Sequence, residues 1–426
     1  MEELALLGGK PVLPESLPPY RSVGRAEREA ALRVLDSGCL SGFYGSWCEE
    51  FHGGPRVREL EAAWRARFGV RYALSVNSAT SGLIAAMGAI GVEPGDEVIV
   101  PPWTMSATVV APLFYGGIPV FADIESDTFC LDVEKVRTAI GPRTRAILAV
   151  DLFGHPARLA ELRKLADERG IYLVEDAAQA PLAEEDGRLA GTIGHVGVYS
   201  LNHHKHIHCG EGGILVTDDD RLAERLALLR NHAESVVGPK GTEDITNLVG
   251  FNFRLTELSA AVATVQLARI DEHVGRRVKV AETMRAALVD LEGLRPPVVR
   301  EGCRHVYYVW ALSIDARELG VSRDAFCRAL AAEGFPHNAG YVNPLYRLPL
   351  FQRRTAFGKK GHPFHLSNVE YGRTDCPVVE RLQAESLVMF EPCAYELTRE
   401  RVGRLVRAVH KVHALRDRIP KGERPK

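Results

Sequence analysis

The sequence lacks any long hydrophobic run. No stretch of its 426 residues approaches the roughly 18 consecutive apolar residues that a helix needs to cross a bilayer. The first twenty residues also lack a cationic start followed by an apolar run, the pattern of a secretory signal. We therefore expect a soluble, cytoplasmic protein with no membrane partner.

The sequence has no paired cysteine motif and little net charge. Its eight cysteines include no C-x-x-C spacing, which is typical of reduced thiols rather than of a disulfide framework or a zinc cage. A formal net charge of −2 gives no global attraction to nucleic acid or to an anionic membrane. Nucleic acid is therefore not an expected partner.

The chain is longer than one hydrophobic core usually supports, so it is predicted to have more than one domain. Residues 41–270 are predicted to form a large domain and residues 271–426 a small C-terminal α+β domain. Residues 1–40 are predicted to cross between the two. Low-complexity tracts and internal repeats are absent, so ordered structure is expected throughout.

Seven short apolar runs alternate with helical patterns between Tyr72 and Thr217. They are YALSVNS, EVIVPP, IPVFADI, TRAILAVDLFG, IYLVEDAA, VGVYSLN and GGILVTD. Strands separated by helices predict an α/β fold with a mostly parallel seven-stranded sheet between helices. Ligands of such sheets bind beyond the carboxyl ends of the strands, so polar residues just after these runs are the candidates for a site.

Thr80 and Ser81 follow the first run, at the start of a predicted helix. Free backbone N–H groups, the helix dipole and two hydroxyls at this place could hold a phosphate. An ordinary helix cap uses the same residue types, so the pattern alone is compatible with either role.

Asp176 ends the run IYLVED. A carboxylate at the end of a buried strand is unfavourable unless it is paired, and the protonated ring nitrogen of a pyridine cofactor is one suitable partner. A capping aspartate is the alternative interpretation.

Lys205 lies in the glycine-rich segment LNHHKHIHCGEGG, between two predicted strands. A lysine desolvated on such a turn can form an imine with an aldehyde. The four neighbouring histidines could bind zinc or nickel, but no cysteine or carboxylate stands at ligand spacing, so no metal site is predicted. Packing around the lysine, contact with substrate hydroxyls, or an ordinary structural loop are the roles left open for them.

Three motifs occur together in one order: NSATSGL, then EDAAQA, then Ser200-x4-Lys205-x4-Gly210-Glu211-Gly212-Gly213. In this order they resemble the DegT/DnrJ/StrS sugar aminotransferases, members of the fold-type I group that uses pyridoxal 5'-phosphate (PLP). The resemblance extends from GGKPVLP near the start to CPVVERL and the last helix. It implies a large PLP-binding domain, a smaller C-terminal domain and PLP as cofactor.

The resemblance also implies roles for individual residues. Lys205 matches the Schiff-base lysine, Asp176 the carboxylate that keeps the pyridine nitrogen protonated, and Gln179 the side chain near the phenolic oxygen. Thr80, Ser81 and Ser200 match the phosphate cup. Asn252, in GFNFRLTE, matches a residue that reaches the neighbouring subunit's PLP phosphate, which implies a homodimer with shared sites.

Two departures from the family pattern concern substrate recognition. Met105 stands where the family usually places an aromatic ring over the cofactor, and Trp103 lies two residues before it, on the same face if the strand continues. Residues 43–52, FYGSWCEEFH, look inserted near the family's active-site entrance and are expected to influence substrate choice.

The resemblance implies a two-stage amino transfer. The expected donor is glutamate or glutamine, and the acceptor is a keto-sugar or a ketocyclitol such as scyllo-inosose, in aminosugar or aminoglycoside-type antibiotic biosynthesis. The expected substrate contacts are Trp103, His204, His206 and Tyr341. Further polar and aromatic candidates in the small domain are His305, Tyr307, Tyr308, His337 and Asn338.

Two other functions are compatible with parts of the pattern. A PLP-dependent dehydratase or aromatising lyase acting on a sugar-like ring is the first, although dehydratases of that type generally carry histidine at the position of Lys205. A non-catalytic regulatory protein with this fold is the second. Retention of the lysine, the aspartate and the phosphate cup together argues against it.

Overall fold

Seven strands form the central sheet of the computed structural model, which describes residues 2–420. They are β1 Tyr72–Val76, β2 Glu97–Val100, β3 Ile118–Phe121, β4 Thr144–Val150, β5 Tyr172–Asp176, β8 Val196–Ser200 and β9 Gly213–Thr217. Two short strands, β6 Glu184–Glu185 and β7 Arg188–Leu189, lie between β5 and β8 in the chain. Each of the seven predicted apolar runs forms one strand of this sheet.

The strand order is β1-β9-β8-β5-β4-β2-β3. Strands β8, β5, β4, β2 and β3 pair in parallel, whereas β9 pairs antiparallel with both β1 and β8. The predicted α/β class with a mostly parallel sheet is therefore confirmed. The central strands are buried on both faces, as in Ala146–Val150, because helices cover both sides of the sheet.

Nine α-helices accompany the sheet between residues 2 and 270. They are α1 Arg25–Ser37, α2 Pro55–Phe68, α3 Ala79–Ala89, α4 Ser106–Val110, α5 Val133–Ala139, α6 Leu159–Arg169, α7 Asp220–Arg230, α8 Ala233–Lys240 and α9 Glu257–Ala268. Helix α3 begins directly after β1, where the Ser78 hydroxyl accepts the Ser81 N–H at 3.0 Å and caps the helix. This cap fixes the phosphate-cup segment at the carboxyl end of the sheet.

The long helix α10, Ile270–Leu288, leads into the C-terminal part of the chain. The strands there are β10 Leu294–Arg295, β11 Cys303–Arg304, β12 Trp310–Ile314, β13 Asn338–Ala339 and β14 Leu387–Phe390, and the helices are α11 Ala316–Leu319, α12 Arg323–Ala332, α13 Pro349–Gln352, α14 Pro377–Arg381 and α15 Arg399–Ala414. Strands β10, β12, β14 and β13 form an antiparallel sheet. Strand β11 instead pairs with β6 of the N-terminal part.

The apolar side chains form two main clusters. The larger surrounds the seven-stranded sheet, and the smaller packs α10, α12 and α15 against the antiparallel sheet. Leu4 and Leu13 belong to the smaller cluster, whereas Ala30 and Val34 of α1 pack on α9. The N-terminal segment thus contacts both parts.

The predicted domain boundary at residue 271 does not divide these clusters cleanly. Buried residues from Leu345 to Leu382 belong to the larger cluster, although they fall in the range predicted for the small domain. Tyr371, for example, is buried there and donates a hydrogen bond from its hydroxyl to the carbonyl of Pro119 in β3. Residues 421–426 of the predicted small domain lie outside the described residues.

Two kinds of feature are absent from the described residues. None of their helices is both long enough and apolar enough to traverse a bilayer. In residues 2–420, no group of three or more histidine, cysteine or acidic side chains has the arrangement of a metal site.

Candidate active site

The loop between β8 and β9 carries Lys205 to the carboxyl edge of the sheet. Its backbone is closed by hydrogen bonds from the Lys205 N–H to the carbonyl of Asn202, at 2.9 Å, and from the Cys209 N–H to the carbonyl of Leu201, at 3.1 Å. The guanidinium of Arg277, on α10, donates to the carbonyl of Lys205 at 3.1 Å. The lysine backbone is therefore held from both its own loop and a distant helix.

The Lys205 amine lies against an aromatic ring. Its Nζ is 4.3 Å from the ring centroid of Tyr308, a residue that follows β11. Burial lowers the pKa of Lys205 to about 8, and the charge of Asp176 opposes this shift. A large fraction of the amine is therefore neutral, and so nucleophilic, at mildly alkaline pH.

The lowered pKa predicts how fast Lys205 reacts with an acylating reagent. Only the neutral amine is a nucleophile, so its acetylation rate should rise about tenfold per pH unit below pH 8 and level off above it. Acetic anhydride treatment of the cofactor-free protein across pH 6–11, followed by peptide mass spectrometry, measures this profile. Exposed lysines in the same digest give the reference rate, and a Lys205 profile still rising at pH 10 would contradict the prediction.

Asp176 is buried at the end of β5. Its Oδ2 accepts a hydrogen bond from the Thr108 hydroxyl at 2.7 Å, and its Oδ1 accepts one from the Ala178 N–H at 3.2 Å. Burial raises its pKa, whereas these hydrogen bonds and the charge of Lys205 lower it. A buried carboxylate with only two neutral donors is incompletely compensated, so a cationic N–H group on a ligand would fit beside it.

Gln179 and Tyr341 lie next to each other at the same edge. The Oε1 of Gln179 accepts the Phe153 N–H at 2.7 Å. The Tyr341 hydroxyl interacts with the Gln179 side chain, and burial raises the pKa of Tyr341 to about 12. The Tyr341 ring packs edge-on against Phe153, with centroids 5.2 Å apart. The structure therefore places the predicted residues Gln179 and Tyr341 side by side, and their roles stay predictions.

The predicted phosphate cup is brought together by strand pairing. Ser200 and Val76 lie opposite Gly213 on its two sides, so the end of β8 and the start of α3 are neighbours. A Cβ at Gly213 would lie only 2.8 Å from the Ala79 nitrogen, which explains the requirement for glycine at the end of GEGG.

The hydroxyls of the cup differ in their present partners. The Ser81 Oγ donates to Asn77 Oδ1 at 2.6 Å, and the Ser200 Oγ accepts the Asn202 N–H at 3.3 Å. The Thr80 hydroxyl is exposed and has no partner within the described part of the chain. Of the three predicted hydroxyls, that of Thr80 is thus the one most available to a ligand.

Asn252 is exposed and lies beside the start of α3 in its own chain. It forms a β-bridge with Asn231, and its carbonyl accepts a hydrogen bond from the Asn77 side chain at 3.3 Å. Because Asn252 is exposed, a neighbouring molecule can reach it.

The histidines of HHKHIH occupy different environments. His206 is fully buried and bonds through Nε2 to the carbonyl of Val306 at 2.9 Å. His208 bonds to the Ser22 hydroxyl at 2.8 Å. His203 is exposed. His204 is exposed as a whole residue, but its ring is partly covered, and this desolvation lowers its pKa to about 4. His204 therefore remains a candidate substrate contact, whereas His206 anchors the loop to the segment that contains Val306.

Trp103 and Met105 do not lie on one strand face, contrary to the expectation from the sequence. Strand β2 ends at Val100, so residues 101–105 form bends and the alternation of strand faces does not apply. Trp103 is completely buried and donates its ring N–H to the carbonyl of Val342 at 2.7 Å. Its ring packs under Tyr341 at 5.9 Å, so it supports that residue and has no surface for a substrate in this structure.

His305 and Tyr307, which were further substrate candidates, are also interior. Their rings stack 3.9 Å apart, and the Tyr307 hydroxyl donates to Glu282. Of the polar residues near β11, Tyr308 is the one that reaches the lysine.

The segment 43–52 packs against the part of the chain that carries Asn252. The Asn231 side chain donates to the carbonyls of Tyr44, at 2.8 Å, and Phe51, at 3.0 Å. Phe51 is buried, whereas Tyr44 is 62% exposed. Its expected influence on substrate choice stays a prediction.

Thr108, Tyr308 and Arg277 are site residues whose roles the sequence did not indicate. Thr108 and Arg277 lie on helices far from the lysine in the chain, and nothing in their local sequence indicates such contacts. Tyr308 was one of several aromatic candidates without a signal to distinguish it.

The chain is similar to known proteins over most of its length. The sequence model described as the DegT/DnrJ/EryC1/StrS aminotransferase family matches residues 45–410. An L-glutamine:2-deoxy-scyllo-inosose aminotransferase of Streptoalloteichus tenebrarius is 34% identical over 415 residues, which cover 92% of this chain and 93% of the relative. A dTDP-3-amino-3,4,6-trideoxy-alpha-D-glucose transaminase of Streptomyces venezuelae is 36% identical over 329 residues, covering 77% and 81%.

A solved structure shares the fold. The aminotransferase from Psychrobacter cryohalolentis superposes with a TM-score of 0.80 at 26% identity, covering 93% of this chain and 99% of that one.

Proposed function

This chain belongs to the DegT/DnrJ/EryC1/StrS aminotransferase family, whose members depend on PLP, and we propose that it transfers an amino group from glutamine or glutamate to the ketone of a sugar or cyclitol. The observation that supports this most directly is the placement of Lys205 and Asp176. Asp176 ends β5, and the loop that carries Lys205 follows the neighbouring parallel strand β8, so both side chains lie at the same edge of one sheet.

The residues at this edge fit the cofactor. PLP supplies an aldehyde that condenses with amines and a protonated ring that stabilises negative charge on an adjacent carbon. Lys205 would hold the aldehyde, Asp176 the ring N–H, and Gln179 would lie near the phenolic oxygen. The hydroxyls of Thr80, Ser81 and Ser200, with the N-terminus of α3, would hold the phosphate.

The protein's own part in the reaction is to move a proton and to keep water away. With a pKa of about 8, the Lys205 amine can accept a proton from the donor's α-carbon and return it as an ammonium. The ring of Tyr308 covers one side of this amine. The Thr108 hydroxyl keeps Asp176 oriented, because it donates to the carboxylate oxygen Oδ2.

We propose a ketocyclitol such as scyllo-inosose, or an oxidised sugar, as acceptor, in aminosugar or aminoglycoside-type antibiotic biosynthesis. Two relatives that align over most of their length support this range, since one is named for 2-deoxy-scyllo-inosose and the other for dTDP-3-amino-3,4,6-trideoxy-alpha-D-glucose.

We also propose a homodimer in which Asn252 of each chain reaches the PLP phosphate of its partner. The exposure of Asn252 supports this, as do large apolar residues exposed on the single chain. These are Met105, Phe114, Ile245 and Val249, with exposures of 62, 49, 58 and 71%. The molar mass in solution tests the dimer.

Half-reactions with purified protein test the proposed function. Incubation of the PLP-loaded protein with glutamine or glutamate should convert bound PLP to pyridoxamine phosphate, seen as a change of absorbance and by mass spectrometry. Subsequent addition of a ketocyclitol or a nucleotide-linked keto-sugar should restore PLP and yield the aminated product. Failure of both donors to form pyridoxamine phosphate would favour a lyase, and a protein that ignores PLP would favour a regulatory role.

A further inference from the structure

A cavity of about 240 Å³ opens beside Lys205, on the side of the N-terminal segment and the small domain. Its walls combine four parts of the chain and include His203, His204, Lys205, His208, Arg277 and Glu391. Lys205 lines this cavity and also lies at the carboxyl edge of the sheet, beside Asp176. A small molecule in the cavity would therefore adjoin the reacting amine.

Arg277 is a buried cation that lines this cavity and has spare hydrogen-bonding capacity. The residue is 6% exposed, and one terminal nitrogen, Nη2, is used by the carbonyl of Lys205. The other, Nη1, is buried and finds no acceptor among residues 2–420. A guanidinium with an unused N–H group matches a carboxylate, because the planar fork can donate two parallel hydrogen bonds.

Glu391 lines the same cavity with the opposite charge. It follows β14 directly and is half-buried. Across the described residues it forms neither an ion pair with Arg277 or Lys205 nor any other side-chain hydrogen bond. A cation and a carboxylate that share one cavity without pairing leave room for a ligand that bonds to both.

Two of the three histidines that line the cavity do not change this balance of charge, and the third, His203, is exposed to solvent. Burial lowers the pKa of His204 and of His208, so both rings are neutral at physiological pH. Once its amine is bound to the cofactor, Lys205 no longer offers a free ammonium. Arg277 and Glu391 therefore set the electrostatic preference of the cavity in the loaded enzyme.

We propose that this cavity binds the amino donor and selects glutamine over glutamate. Arg277 binds the α-carboxylate of the donor, and Glu391 accepts a hydrogen bond from the side-chain amide of glutamine. Glutamate would place a second carboxylate against Glu391, and like charges brought together in a half-buried site repel each other. This inference rests on the proposed aminotransferase function and adds the donor and the two residues that recognise it.

Donor kinetics of the holoenzyme test the selection. The wild type should use glutamine with a kcat/KM at least about tenfold above that for glutamate, the effect expected of one unfavourable charge pair. Glu391→Gln should reduce this ratio to about threefold or less, mainly by lowering the KM for glutamate. Glu396→Gln is the matched control: this residue lies five positions further along, pairs with Arg276 and is outside the cavity, so its variant should keep the wild-type ratio.

Calorimetry gives a second readout that requires no turnover. Borohydride-reduced holoenzyme, in which the lysine stays joined to the cofactor, is titrated with each donor. Arg277→Lys keeps the charge but loses the fork, and it should raise the dissociation constant for both donors about tenfold. Glu391→Gln should lower the dissociation constant for glutamate and leave that for glutamine unchanged.

Equal use of the two donors by the wild type, or an unchanged ratio in Glu391→Gln, would overturn this inference while leaving the aminotransferase function intact. If neither donor supports turnover, the proposed function fails instead. The titrations then decide whether the cavity still prefers the amide, and absence of that preference would overturn the inference as well.

Discussion

Lys205→Ala should lower the transamination rate at least about 10⁴-fold, because the Lys205 side chain both holds the cofactor aldehyde and carries the proton. Borohydride treatment of the wild type in the presence of PLP should leave a stable mass adduct on the peptide that contains residue 205. The variant should show no adduct at this peptide. Steady-state rates and peptide mass spectrometry measure the two effects independently.

The control for this substitution is Lys164→Ala, which removes an exposed lysine that lies 3.9 Å from Glu168 on α6, away from the site. Its rate and its adduct should match those of the wild type. The folded state of Lys205→Ala can be checked by circular dichroism, because truncating a half-buried lysine leaves the surrounding hydrogen bonds of the loop in place. Persistence of the adduct in the variant would show that another amine binds the cofactor.

Asp176→Asn should lower the rate about 10²- to 10³-fold, since a neutral amide cannot hold a proton on the pyridine nitrogen. The amide has nearly the shape of the carboxylate, and its oxygen can keep the hydrogen bond from Ala178. Because burial raises the pKa of Asp176, the cofactor-free variant should be at least as resistant to heat as the wild type. Rate assays and thermal unfolding without PLP measure these opposite effects.

Thr108→Val provides a graded comparison. It removes the hydroxyl that donates to Asp176 but leaves the carboxylate, so the loss of rate should stay near tenfold, the effect of one hydrogen bond to a charged group. If Asp176→Asn were no slower than Thr108→Val, protonation of the ring would not be the main contribution of Asp176.

The sheet could be predicted from the sequence because the signal for each strand is local. A central strand covered by helices on both faces needs a short unbroken apolar run, such as the one ending at Val150, and such runs are visible in the sequence. The position of Asp176 at a strand end followed in the same way. The resemblance to the family then indicated that Lys205 is the Schiff-base lysine.

The prediction was weaker wherever a side chain's role depends on distant neighbours. Trp103 and His206 looked like substrate contacts from their position, but both are fully buried and bond to carbonyls more than 90 residues away. Thr108 had no signal because its partner, Asp176, is 68 residues distant. The packing of residues 345–382 on the larger cluster was missed for the same reason.

By itself the sequence determined which segments become strands, which of them end in chemically active residues, and to which family the motifs point. These properties depend on neighbours within a few positions, so they can be recognised along the chain. Only the tertiary structure decided that Tyr308 covers the lysine, that Thr108 orients the aspartate, and that Arg277 and Glu391 share a cavity. Those contacts arise when helices and loops from remote parts of the chain pack on one sheet edge, and long-range packing leaves no periodic pattern in the residues that take part.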